Sequence, residues 1–141
     1  MKKTFFTSIC LTILGIFIFG ALQAQVSIPG NKTWTKTKIT VNAKDNVVVQ
    51  VAGNITLDPN VSCNADGMKI VSGPEPVIIK GINRGALIAK VGKKGVPFLV
   101  GANGKFIAGT TGILYFGIND DNTKNNSSFF TATVTVNGTA K

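Results

Sequence analysis

The stretch "FFTATVTV", residues 129–136, decides the fold. Phe130, Ala132, Val134 and Val136 fall on one side of an extended chain, with Thr131, Thr133 and Thr135 on the other. Strand side chains alternate between two faces, so this pattern sets one face on a core and the other toward water. Amphipathic helices repeat their apolar residues three and four apart, and no such period follows the first two dozen residues.

Working back from that strand, short β-branched and aromatic segments recur between clusters of Gly, Pro, Asn and Asp. "GILYFGIN" (112–119) precedes it, and "KFIAG" (105–109) and "VPFLVG" (96–101) come before that, joined by the tight "GANG". Further upstream stand "GALIAKVG" (85–92), "VIIK" (77–80), "NVVVQVA" (46–52) and "WTKTKITV" (34–41), the last two separated by the turn-like "NAKD". Residues 53–76 hold too many turn formers to be regular throughout. About eight strands with turn signals this regular predict an all-β fold, an antiparallel β-sandwich or jelly roll. No internal repeat or second domain is visible.

Residues 1–24 read differently. Lys2 and Lys3 precede a nearly unbroken apolar run that ends at the small residue Ala24, the order of a secretory signal peptide. Cys10 lies inside that run without the small-residue sequence that marks lipid attachment. The expectation is an exported chain, secreted or periplasmic, with one domain over residues 25–141 and no membrane association after cleavage.

Without Lys2 and Lys3, thirteen basic residues face six acidic ones. The lysines are scattered, and the only arginine is Arg84, so phosphate reading of nucleic acid is disfavoured. Cys63 is the only cysteine beyond the leader and has no internal disulfide partner. The chain has no histidine, which removes the usual zinc sites and any Ser-His or Cys-His pair. Trp34 and Tyr115 lie in strands and are expected to pack structurally, Trp34 in the core or between sheets.

The candidate site is "GINDDNTKNNSSFF" (117–130), between the last two strands and so at one end of the sandwich, where binding loops collect. It offers only hard oxygen donors: the carboxylates of Asp120 and Asp121, the amides of Asn125 and Asn126, and the carbonyls between them. Such a set suits calcium, which takes six to eight oxygens in flexible geometry. The same residues are also ordinary turn formers. Neighbouring carboxylates on a turn do not resemble a glycosidase pair facing across a cleft, and the chain is not expected to be an enzyme.

Three stretches in order resemble the PA-IL-like galactophilic bacterial lectin family. They are "DNVVVQVAGNITLD" (45–58), "RGALIAKVGKKGVPFLVGANGKF" (84–106) and "ILYFGINDDNTKNNSSFFTATV" (113–134). The resemblance implies a calcium-dependent carbohydrate-binding β-sandwich, jelly-roll-like and galactose-binding-domain-like, whose metal chelates two sugar hydroxyls. It implies that Asp120 binds calcium and a sugar hydroxyl, that Asn125 and Asn126 bind calcium through side-chain oxygens, and that Asn125 also faces the sugar. A carbonyl of Asn122 or Thr123 and that of Leu57 complete the implied metal ligands. Galactose or another glycan is the implied partner, and a homo-oligomer the implied assembly. The chain departs from the family in three places. The loop from Asp120 to Asn125 is shorter, Ser128 stands where the family has glycine, and the sugar-contacting His and Gln have no counterpart in "SGPEPVIIK", where Glu75 is the only acidic candidate. A structural or adhesive module that binds no sugar is the rival reading.

Overall fold

A computed structural model describes residues 22–58, 60–69 and 76–137. The described chain forms ten strands: β1 (Leu22–Pro29), β2 (Trp34–Val41), β3 (Asn46–Ala52), β4 (Ile55–Leu57), β5 (Val61–Cys63), β6 (Leu87–Val91), β7 (Phe98–Leu99), β8 (Asn103–Ile107), β9 (Gly112–Ile118) and β10 (Ser127–Asn137). One sheet runs β5-β4-β10-β3-β8 with β1 also on β10, and the other runs β2-β9-β6-β7. Every pairing is antiparallel. The expected all-β sandwich is what forms.

Strand β10 is the spine of the larger sheet. Its Phe130, Ala132 and Val134 are fully buried and Val136 is 7% exposed, whereas Thr131, Thr133 and Thr135 are half-buried on the outer face. Val47 and Val49 of β3 stand beside Val136 and Val134 on that inner face. The opposing sheet contributes Ile39 and Val41 from β2, Leu87 and Ala89 from β6, and Leu114, Phe116 and Ile118 from β9. Each fully buried Leu, Ile or Phe contributes about 1.5–3 kcal/mol by leaving water, so this interlayer core holds the sheets together without a disulfide.

Strands β3 and β4 are one strand interrupted. The pairings Thr131↔Ala52 and Ser128↔Ile55 keep the same register across the break, where Gly53 takes φ +89°. The glycine kink lets the strand bend without a slip that would turn its apolar side chains outward. This bend carries β4 toward the end of the sandwich where the loop between β9 and β10 lies.

Some sequence expectations change. "VIIK" forms no strand, for Ile78 and Ile79 are bends, Lys80 is a turn, and the Asn119 side chain holds the segment from outside. The turn-rich region contains the short strands β4 and β5, and β1 extends back to Leu22, so the strand count exceeds the expected eight. The rest of the expected leader, and Glu75, lie outside the described residues. Trp34 is half-buried on the outer face of its sheet and not in the interlayer core. It pairs with Gly117, whose missing side chain leaves room for the indole, and Lys90 Nζ sits 4.1 Å from its ring centroid.

Candidate functional site

The chain leaves β9 at Ile118 and turns sharply, with Asp120 N donating to Ile118 O (2.7 Å). Residues Thr123–Asn125 make a single 3-10 turn, and Asn126 N donates to Thr123 O (3.0 Å) before β10 begins. This compact turn folds Asp120 and Asn126 inward. Asp120 is fully buried and Asn126 is 5% exposed. Thr123 is also buried, its Oγ1 lying 3.1 Å from Thr33 Oγ1 at the start of β2. Asp121, Asn122 and Asn125 remain exposed.

A buried carboxylate must find donors or counter-charge. Asp120 Oδ1 accepts from Asn122 N (3.1 Å), while Oδ2 accepts from Asn126 Nδ2 (3.0 Å) and from the Arg84 guanidinium (3.1 Å). The second proton of Asn126 Nδ2 goes to Gly30 O (3.3 Å), which ties the loop to the chain between β1 and β2. Asn126 Oδ1 is buried and has no hydrogen-bond partner among the described residues. An orphaned amide oxygen beside a buried carboxylate is the donor set a hard cation seeks, and so these residues fit calcium in ligand type. Their charge fits less simply, because Arg84 already neutralises Asp120.

Of the six expected metal ligands, Asp120 and Asn126 are brought into direct contact. The amide side chains of Asn122 and Asn125 stand on the exposed rim of the same turn, and the Thr123 carbonyl accepts from Asn126 N within it. Leu57 ends β4, with its side chain fully buried in the core. Its neighbour Asp58 presents a carbonyl to Arg84, whose second terminal nitrogen donates to it at 3.2 Å. One guanidinium therefore joins the early loop beside Leu57 to the late loop at Asp120.

Two residues that sequence reasoning left out of the site position it. The first is Arg84, read only as a poor phosphate ligand. The second is Asn119, fully buried, whose side chain accepts from Ile79 N (2.8 Å) and donates to Ile79 O (3.2 Å), Ile82 O (3.0 Å) and Asn83 O (3.1 Å). It clasps residues 79–83 and so fixes the segment from which Arg84 reaches. Asp121 N donates to Pro76 O (3.0 Å), fastening the same segment one step earlier. At its far end Gly85 has φ +78°, and a Cβ there would meet Cys63 Sγ at 2.7 Å and Leu57 Cδ1 at 2.9 Å. Only glycine lets Arg84 sit so close above β4 and β5. Cys63 lies beneath, its pKa raised to about 11 by burial, with Arg84 lowering it and Asp120 raising it by smaller amounts.

The comparisons with known proteins agree with this architecture. Among solved structures, the chain is similar to the N-terminal domain of EclA, a PllA-like lectin. The superposition has a TM-score of 0.63 at 15% identity and covers 82% of this chain and 97% of that one. No family model matches the chain, and no curated protein matches it. The class defined by the fold is a two-sheet antiparallel β-sandwich of the kind found in that lectin domain.

Proposed function

We propose that the chain is a secreted, non-catalytic carbohydrate-binding protein of lectin type, with calcium as its cofactor and the loop between β9 and β10 as its site. The observation that carries this reading is the buried pair of Asp120 and Asn126 at the end of a lectin-like sandwich, with Asn126 Oδ1 left without a partner among the described residues. Asp120, Asn125 and Asn126 would hold the metal through side-chain oxygens, with backbone carbonyls from Asn122 or Thr123 and from Leu57. A bound calcium supplies open coordination positions for the two oxygens of a vicinal diol. Asp120 and Asn125 then select the diol, by accepting its hydroxyl protons and by limiting its orientation. Sites of this kind bind one sugar weakly, so display on a homo-oligomer would supply avidity.

The rival reading, a surface module with the same fold and no sugar, draws support from the engagement of Asp120 by Arg84 and from the absence of histidine. A glycan array probed in calcium and again in chelator separates the two. The lectin reading expects calcium-dependent binding that Asp120→Ala abolishes. Binding that survives chelation and Asp120→Ala places the sugar elsewhere, and an array blank in both conditions leaves the scaffold reading.

A further inference from the structure

We propose that Arg84 is a built-in counter-cation that holds the loop's oxygen atoms together in the metal-free protein and competes with calcium for Asp120. This rests on the calcium reading of the site and names how that site is regulated.

Asp120 is the one fully buried carboxylate at the site, and its Oδ2 is shared by Arg84 and Asn126. A divalent ion beside Oδ2 would meet the guanidinium as a like charge within a few ångströms, with little water between them to screen it. Arg84 cannot relieve the conflict by losing a proton, because the guanidinium stays charged at every working pH. It must move. The side chain is 18% exposed, so one side of it opens to solvent and a path outward exists.

Geometry gives the same answer. The fork spans Asp58 O at 3.2 Å and Asp120 Oδ2 at 3.1 Å, one oxygen from each of the two loops that the calcium reading draws on. A cation bridging those loops is what the calcium reading calls for, and Arg84 supplies one from within the chain. The bridge is incomplete. Among the described residues, Arg84 Nε is a buried donor without an acceptor, and Asn126 Oδ1 is a buried acceptor without a donor. Native networks rarely leave both kinds unsatisfied in two residues that share one carboxylate oxygen. Withdrawal of Arg84 would return Nε to water and leave Asn126 Oδ1 and Asp120 free for a metal.

The test is isothermal titration of calcium chloride into the wild-type protein, Arg84→Gln and Arg84→Lys, with thermal melts of each in calcium and in chelator. Arg84→Gln is expected to bind calcium at least tenfold tighter than wild type and to gain more melting temperature from it. Arg84→Lys keeps the charge without the fork and should fall between the two. A Gln variant that folds only in calcium is also the expected behaviour, and the Lys variant then supplies the comparison. Equal or weaker calcium binding by the variants, with wild type binding, overturns the counter-cation and leaves the calcium site standing. Folded proteins of which none binds calcium overturn both.

Discussion

Asn119 and Ile79 exchange two hydrogen bonds, Ile79 N donating to Oδ1 at 2.8 Å and Nδ2 donating to Ile79 O at 3.2 Å, as a paired strand would. The side chain thus replaces a missing strand neighbour for a segment that is not in the sheet. Two further bonds, to Ile82 O and Asn83 O, complete the clasp.

Asn119→Ala removes all four of these side-chain bonds. Leaving several partly buried backbone groups unpaired should cost about 3 kcal/mol, or a fall in melting temperature of about 10 °C for a domain of this size. Amide exchange at Ile79 should quicken more than exchange in β10, because the segment loosens before the sandwich does. Asn119→Asp should fare no better, since a carboxylate cannot donate to three carbonyls. An unchanged exchange rate at Ile79 would show that the clasp does not hold the segment.

Ser128 offers the opposite sign. It has φ +64°, in the left-handed region, and its carbonyl accepts from Gly30 N (2.8 Å). An L side chain there costs about 1–2 kcal/mol, part of which glycine would lose again through its freer unfolded chain. Ser128→Gly is therefore expected to stabilise by about 0.5–1 kcal/mol, read as a denaturation midpoint that rises with an unchanged m-value. A midpoint that falls would mean that the serine makes a compensating interaction.

The same serine illustrates what the sequence made legible. The alternation in "FFTATVTV" placed Phe130, Ala132, Val134 and Val136 in the core, because a strand with one buried face writes its period directly into the chain. The sequence marks Ser128 only as standing where the lectin pattern has glycine, and its left-handed φ of 64° emerges from the structure alone. Asp120 and Asn126 were legible as neighbours, since only six positions of one loop separate them. Arg84 and Asn119 were not. Arg84 meets Asp120 across thirty-six positions, and that meeting depends on sheet register that no local pattern records. "VIIK" misled for a related reason: β-branched residues favour a strand, but a side chain from elsewhere captured its backbone first.

Cys63 is buried under Gly85, and burial raises its pKa from 9.0 to about 11. The reactive thiolate is therefore scarce at pH 8, and a maleimide or iodoacetamide should label the native protein far more slowly than the denatured chain. The pH dependence follows from the same shift. The folded state keeps the thiol proton longer than the unfolded state, so the stabilising effect is complete below pH 9 and is lost as pH rises from 9 toward 11. Cys63→Ala should flatten this part of the stability profile. Equal alkaline loss in both proteins would assign it to other groups.

Asn126→Asp tests whether the buried pair is poised for a cation. In the wild type, Asn126 Nδ2 donates to Asp120 Oδ2 at 3.0 Å and to Gly30 O at 3.3 Å. The aspartate loses both donations and sets a second carboxylate against the first, a buried like-charge contact that should cost about 3 kcal/mol in chelator. Once Arg84 withdraws, two carboxylates facing one divalent ion are charge-balanced, so calcium should recover more than half of that loss and shift the melting temperature of the variant further than that of the wild type. Magnesium, which demands tighter octahedral geometry, should recover less. A variant destabilised equally in calcium and in chelator would mean that Asp120 and Asn126 are a structural pair, and that any metal binds away from them.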